Sequence, residues 1–370
     1  MASNEYRILR AACQLDPAAD HLEKLQNLLV RPVDSDSLIE LAVREGLAGL
    51  LYKNLLNTGY LGGLGPGRGQ RLESFYHITV RNNLRLLHDL AEILQELNQK
   101  NIQVVLLQGI ALLHQVYQDA GLRPLTDIDL WVLPGDRHAL AETLSGLAYQ
   151  ADIAYPNTFR KGSTIIDVNT HILWADRIRA RSLVLRKSQE NIHRNCRSIN
   201  CEGGQALCLD PYDQVLYLSL HALKHNVSRL IWLADIKNLI GPWQRSDWET
   251  LMKRARDLGL QKAVACIIFL FANLFDYYPP LESGAARQSL RLNVLEKMIL
   301  KNREKGNPLP EWSPLLLFTA GQGLHKRLAF AFESLFPRRE ILRQVFVDYP
   351  DLKDWQLYWK RALQLLGAIK

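Results

Sequence analysis

The sequence predicts an α+β protein, mostly helical, in which a small α/β core of mixed sheet and helices lies between two helical flanks. Three observations carry this. Apolar residues recur at helical spacing over residues 4–99 and again from 211 onward. Between them, at 101–173, short β-branched runs alternate with short helical segments. Gly and Pro punctuate each change of period. Three units follow: a helical region over 1–99, the α/β core over 100–210 and a helical bundle over 211–370.

RILRAACQLD, HLEKLQNLLV and SDSLIELAVREGLAGLLYKNLLNTG give helices over 4–58, with Asp36 or Ser37 capping the last and Gly59 ending it. GYLGGLGPGRG, 59–69, is a loop; it lacks the G-x4-G-K-[ST] pattern and follows no strand, so it connects helices rather than cradling phosphate. Residues 70–99 form a long helix with Leu84, Leu87, Ala91 and Leu94 on one face. IQVVLLQG, 102–109, is a buried strand, and IALLHQVYQDAG a helix ended by Gly121. A strand at 127–133, a helix at 137–147 and strands at 149–153 and 162–173 complete the core. Residues 174–210 are mixed, with short strands around GGQALCLD. Helices at PYDQVLYLSLHALKHN, RLIWLADIKNLIG and SDWETLMKRARDLGLQKAVACIIFLFANLFD suit an antiparallel bundle. Another covers 285–305, and 313–370 adds two or more, with Trp355 and Trp359 four apart and packed in the core.

Composition excludes several classes. With 48% hydrophobic and 22% charged residues, the chain is an ordinary globular one. The net charge of +7, from 45 Lys and Arg against 38 Asp and Glu, implies only a weak preference for anions. No dense basic stripe with interleaved aromatics occurs, which argues against a long nucleic acid. The five cysteines are scattered without a C-x2-C, matching neither a secreted disulfide framework nor a zinc knuckle. The N-terminus lacks an apolar signal core, and AVACIIFLFANLF is too short to cross a bilayer, so no membrane association and a cytoplasmic location are expected.

The chemistry centres on LTDIDLWV. Asp127 and Asp129, two apart at the start of a strand, point to one face. Like charges so close call for a cation, and Mg²⁺, with Mn²⁺ as a substitute, suits hard oxygen ligands. Asp167 in STIIDVNTH adds a carboxylate among β-branched residues, where it is otherwise costly. Three such acids make a clamp that activates an attacking hydroxyl and neutralises a transferring phosphate. Upstream, the strand VVLLQ runs through Gly109 straight into a helix, whose free N–H groups can receive phosphate.

VLLQGIALLHQVY, GLRPLTDIDLWV and IIDVNTHI together resemble the uncharacterised nucleotidyltransferase family, a branch of the DNA polymerase β-like nucleotidyltransferase superfamily. The resemblance extends over roughly 35–245, including HALKH and RLIWLADIKNLI. It implies a nucleotidyltransferase-like α/β core. Gly109 matches the family's helix-start glycine, Asp127 and Asp129 its D-x-[DE] pair, and Asp167 its third carboxylate. Two departures stand out. The family's K-G-x-A-L here reads Gln108-Gly109-Ile110-Ala111-Leu112, and its D-[LV]-H reads Asp167-Val168-Asn169, with His171 displaced. The implied reaction moves a nucleotidyl group from an NTP, ATP being expected, to an unidentified small-molecule, sugar, peptide or protein acceptor. Asp127 and Asp129 would hold both metal ions, Asp167 one, and the helix at Gly109 the β- and γ-phosphates. The rival is a non-catalytic nucleotide-binding or partner-binding protein on the same fold; a helical scaffold would instead disperse the three acids.

Other candidates are weighed beside their structural readings. Arg123 either reaches the triphosphate or forms a surface ion pair. Gln108 bonds phosphate or ribose, or its own loop. His171, in step with Asp167 and Asn169, contacts substrate or closes the core edge. His221 and His225 share a helix face and line the site, or form a metal pair; no H-E-x-x-H glutamate is present. Lys224 adds a phosphate contact or, the preferred reading, is solvated, and Asp235 orients a histidine or caps helix packing.

Overall fold

The computed structural model describes residues 2–17, 19–281 and 290–367. Its strands are β1 (Val105–Leu106), β2 (Ile128–Trp131), β3 (Gln150–Ala151), β4 (Thr158–Lys161), β5 (Thr164–Asn169), β6 (Arg197–Cys201) and β7 (Gly204–Cys208). They form one mixed sheet in the order β3-β4-β5-β2-β1-β7-β6. β2 runs parallel to β5 and antiparallel to β1, and β1 parallel to β7. All four β2 residues are buried, as a central strand covered on both faces requires. The single strand expected over 162–173 is instead the second arm of a hairpin. The chain reverses at Gly162 (φ +57°), β4 pairs with β5, and β5 stops at Asn169.

The N-terminal helices are α1 (Asn4–Ala11), α2 (Ala19–Leu29), α3 (Ser35–Glu45) and α4 (Ala48–Asn57). The helix read through to Gly59 divides at Gly46, which takes the left-handed conformation (φ +76°) and donates its N–H to the carbonyls of Ala42 and Val43. Asp34 caps α3, accepting the N–H groups of Asp36 and Ser37, the two residues expected to cap it themselves. α5 (Arg68–Gln99) is the long helix anticipated, but its buried stripe is rotated. Leu86, Leu90, Ile93, Leu94 and Leu97 face inward, while Leu84 is 55% exposed. α5 packs on α4, α7 (Arg137–Gly146) and β7, so its inner face is set by three partners rather than by its own pattern. α6 (Gln108–Gln115) ends before Gly121, because Val116 and Tyr117 both return their N–H groups to Leu112 O. Gly121 lies against the Tyr76 ring, where a Cβ would come within 2.1 Å.

A short α8 (Glu190–His193) precedes the bundle α9 (Pro211–Lys224), α10 (Ile231–Leu239), α11 (Arg245–Leu258) and α12 (Gln261–Phe275). Then come α13 (Val294–Leu300), α14 (Ser313–Leu317), α15 (Leu324–Leu335), α16 (Arg339–Val345) and α17 (Asp354–Leu365). The helix expected over 285–305 is partly met by α13; its positions 285–289 lie outside the described residues. Buried side chains from the N-terminal helices, the sheet and the bundle join one continuous core. Trp355 and Trp359 are not part of it: they are 67% and 65% exposed. Leu357, roughly opposite them around α17, is the residue that turns inward, meeting Leu342 and Phe346 in a small separate cluster. Among the described residues, no helix is long and apolar enough to cross a membrane.

Candidate active site

The site begins where β1 turns into α6. Leu107 donates its N–H to Asp129 O (3.0 Å), tying this turn to β2. Gln108 takes a left-handed conformation (φ +52°), uncommon for a residue with a side chain. At Gly109 a Cβ would stand 1.9 Å from Arg123 Nη1 and 2.4 Å from Leu125 Cδ2. The glycine therefore admits the chain's own Arg123 loop against the start of α6.

That loop is held from below. Buried Asn83 on α5 donates to Ala120 O (2.7 Å) and Arg123 O (2.8 Å) and accepts from Leu125 N–H (3.1 Å). Arg123 is buried, not at a surface ion pair. It donates Nη2 to Asp235 Oδ2 (3.0 Å) and Nη1 to Pro124 O (3.1 Å). Asp235, fully buried, also accepts from the Tyr117 hydroxyl (2.8 Å). Asp235 thus fixes Arg123 rather than a histidine.

The register of the sheet brings the acids together. Asp129 on β2 sits directly beside Asp167 on β5, and Asp127 precedes Asp129 by one strand period. Asp127 Oδ1 accepts from Thr126 Oγ1 (2.9 Å), and Asp167 Oδ1 from Thr158 Oγ1 (2.6 Å). No hydrogen bond from the described residues reaches the Asp129 carboxylate, which is 7% exposed. Burial first, then the charges of Asp127 and Asp167, push Asp129 well above the usual carboxylate range. Asp127 is raised too, by burial first and by Asp167, against the lowering by Thr126 and Arg123.

All three acids line one cavity of about 570 Å³, together with Gln108, Gly109, Arg123, His221, Lys224 and His225. His171 is the predicted site residue outside this lining. β5 stops two residues short of it, and the Asp176 carboxylate accepts the N–H groups of Thr170 and His171, turning the chain away. His171 Nδ1 then accepts the Leu173 N–H (3.1 Å).

α9 supplies the opposite chemistry. Lys224 is not simply solvated: its Nζ lies 3.9 Å above the Trp174 ring, and it feels the charges of Asp129 and Asp167. Its ammonium pKa is pushed well down, by burial first and then by Arg181. The His221 and His225 rings are 4.7 Å apart and both meet Trp232. His225 keeps accessible surface on the cavity side, yet protein atoms surround its ring, and burial with the Lys224 charge lowers it to about 3. His221 is lowered well below the usual imidazole value by burial first, and its Nδ1 is buried without a hydrogen-bond partner. Both rings are accordingly neutral.

Several cavity residues were not anticipated: Trp174, Arg177, Trp232, and Arg338, Ile341 and Gln344 from the C-terminal segment. Tyr155 fastens this segment, donating its hydroxyl to Gln344 O (2.7 Å).

A profile of the uncharacterised nucleotidyltransferase family matches residues 31–276. The chain belongs to this family. No curated protein and no solved structure shows a significant match. The sheet flanked by helices is consistent with a nucleotidyltransferase-like core, and the membership supports nucleotidyl transfer in general terms. As the side chains stand, no three His, Cys, Asp or Glu among the described residues are close enough to hold one metal ion. A complete protein cage is not what Mg²⁺ requires: it usually takes one or two carboxylates and fills its shell with water and substrate phosphate. Asp129, buried and lacking any donor, fits that role.

Proposed function

We propose that this nucleotidyltransferase-family protein carries out Mg²⁺-dependent transfer of a nucleotidyl group from an NTP, with ATP the first candidate, to a small-molecule, sugar, peptide or protein acceptor. The observation that carries the proposal is the pairing of Asp129 with Asp167 across β2 and β5, with Asp127 one strand period away in the same cavity. Asp129 and Asp127 would hold the metal, which supplies charge neutralisation at the transferring phosphate. Asp167, with Oδ1 steadied by Thr158, keeps Oδ2 free of hydrogen bonds from the described residues and can accept a proton from the acceptor hydroxyl. Arg123, fixed by Asp235, places positive charge beside the acids, and Lys224 adds an amine donor on the same cavity, to bind and orient the phosphates. The neutral His221–His225–Trp232 group forms an aromatic wall that narrows the water-filled space at the reacting centre.

The test is Mg²⁺-dependent release of pyrophosphate from each NTP across candidate acceptors, with Asp129→Asn and the double variant D127A/D129A as controls. Release that survives both variants sinks the mechanism. Gln108, standing where the family carries lysine, motivates a second reading, a nucleotide sensor without turnover. Tight, Mg²⁺-dependent NTP binding with no pyrophosphate from any acceptor would favour it.

A further inference from the structure

The cavity carries a second group of cations that the three acids do not explain. Arg177 and Arg338 both line it. Arg338 reaches the chain beside Arg177, donating Nη2 to Asp176 O (2.7 Å). Arg177 lies over the Tyr155 ring at 5.3 Å. Arg181 stands behind, with Nη1 donating to Trp174 O (3.4 Å), and Arg361 of α17 adds its charge to both Arg177 and Arg181.

None of these four arginines forms an ion pair with a carboxylate among the described residues. The acids nearby are committed: Asp176 accepts from Thr170 and His171, and Glu333 from the Arg179 and Ala180 N–H groups. Glu340 of α16 lines the cavity but stays exposed. The Nε atoms of Arg181 and Arg338 are buried and donate to nothing. Burial, then Arg177 and Arg361, push Arg181 down to about 9. Crowded cations of one sign, with Arg181 and Arg361 desolvated among them, are unfavourable unless an anion enters, and forked guanidinium donors match phosphate oxygens.

We propose that Arg177 and Arg338, backed by Arg181, form a phosphate subsite for the acceptor, distinct from the position of the NTP triphosphate at α6. This rests on the nucleotidyl-transfer reading above. The division follows from where the residues sit in the chain. Gly109, Arg123 and the three acids lie inside the 31–276 family match, and so do Arg177 and Arg181, whereas Arg338 and α16 lie beyond it. The added C-terminal segment brings a second guanidinium to Arg177, and that pairing completes the pocket for the particular acceptor. The acceptor would therefore be a phosphorylated molecule carrying a free hydroxyl or a second phosphate oxygen as nucleophile.

The test titrates inorganic phosphate into the full chain by calorimetry, alone and again with saturating α,β-methylene-ATP and Mg²⁺. Variants R177Q and R338Q are run in parallel, with circular dichroism to establish that they fold. The Arg177 side chain is exposed and makes no hydrogen bond among the described residues, only the backbone N–H donating to Trp174 O (3.3 Å), so R177Q remains interpretable if R338Q unfolds. The expected result is phosphate binding unchanged by the nucleotide and weakened about tenfold or more in each folded variant, the loss of one charge-assisted hydrogen bond. Displacement of phosphate by the nucleotide would assign the arginines to the triphosphate and overturn the proposal. No binding to the wild type, or unchanged binding in R177Q, would overturn it as well. If the nucleotide fails to bind while phosphate still needs both arginines, the subsite stands and the nucleotidyl-transfer reading falls.

Discussion

Replacing Asp129 with Asn should make the metal-free protein more stable. The carboxylate is 7% exposed, receives no hydrogen bond from the described residues and faces Asp127 and Asp167. Asn conserves its volume and removes the charge. Leaving a buried polar group unsatisfied costs about 1–3 kcal/mol, and a charge more, so relief of about 1–3 kcal/mol is expected. For a chain of this size that is roughly 1–4 °C in melting temperature. The pH dependence fixes the sign. Folding raises the Asp129 pKa well above its ordinary value of 3.8, so the folded state holds the proton more tightly than the unfolded one. Stability contributed by this group is then lost as pH rises from about 3.8 through the folded value. The advantage of D129N should therefore be small near the ordinary carboxylate value and grow as pH rises through the folded one. Calorimetric melting in EDTA over a pH series rising from about 4 measures it. Added Mg²⁺ should raise the melting temperature of the wild type and leave D129N unmoved. A D129N protein that melts below the wild type in EDTA at neutral pH would show that the carboxylate has a structural partner, and the metal assignment would fail with it.

Other substitutions test the scaffold. Gly109→Ala places a methyl against the Arg123 guanidinium and Leu125, overpacking that should cost about 1–3 kcal/mol in urea unfolding and lower any nucleotide affinity. Asp235→Asn strands the buried Arg123 charge and should cost about 3–5 kcal/mol, whereas R123M with D235L should recover most of it in a double-mutant cycle. His225, lowered to about 3 from an ordinary 6.5, stays neutral while the unfolded chain takes up its proton, so its contribution is lost as pH falls below about 6.5. H225Q should accordingly flatten the acid side of the stability–pH curve. Trp355→Ala and Trp359→Ala should change stability by no more than about 0.5 kcal/mol, while Trp248→Ala, in the core, should cost about 3–5 kcal/mol.

What could be read from the sequence depended on how local its cause was. The two-residue period of Asp127 and Asp129 belongs to a single strand and was visible directly. The strand–Gly–helix order at Gln108 and Gly109 was equally local, although the reason for the glycine, the returning Arg123, lies 14 positions further along. Asp167 is legible as a costly carboxylate among β-branched residues, and the family resemblance supports it as the third acid, but its register beside Asp129 is not legible, since no periodicity within either strand records its partner. His171 shows the limit of extrapolating a period. The alternation through Asp167 and Asn169 was real, but Asp176 captures the next two N–H groups and bends the chain off the sheet. The β4–β5 hairpin is not legible locally: Gly162 reads as the start of a strand from the alternation that follows it, whereas its positive φ makes it the turn.

The cationic side of the site was hidden for a different reason. For Lys224 the solvated reading is preferred over a phosphate contact, as is usual for a lysine on an amphipathic helix. α9 is not amphipathic in that sense: it is buried along nearly its whole length, Asp213, Gln214, Ser219 and His221 included. A helix enclosed on every side has no solvent face to give its polar residues, so most answer to an ion pair, a hydrogen bond or a cavity; the Gln214 amide is the exception, with neither side-chain atom partnered among the described residues. Asp213 answers to Arg254 and Ser219 to Val215 O. His221, Lys224 and His225 answer to the cavity beside the acids. Apolar neighbours at Leu220, Ala222 and Leu223 were in the sequence all along, and they mark the polar residues between them as facing a site rather than water. Arg338 had no such local mark. Its place in the cavity depends on α15 to α17 folding back across the sheet, anchored by Tyr155 at Gln344 and by Glu333 at Arg179, contacts that join positions more than 150 apart.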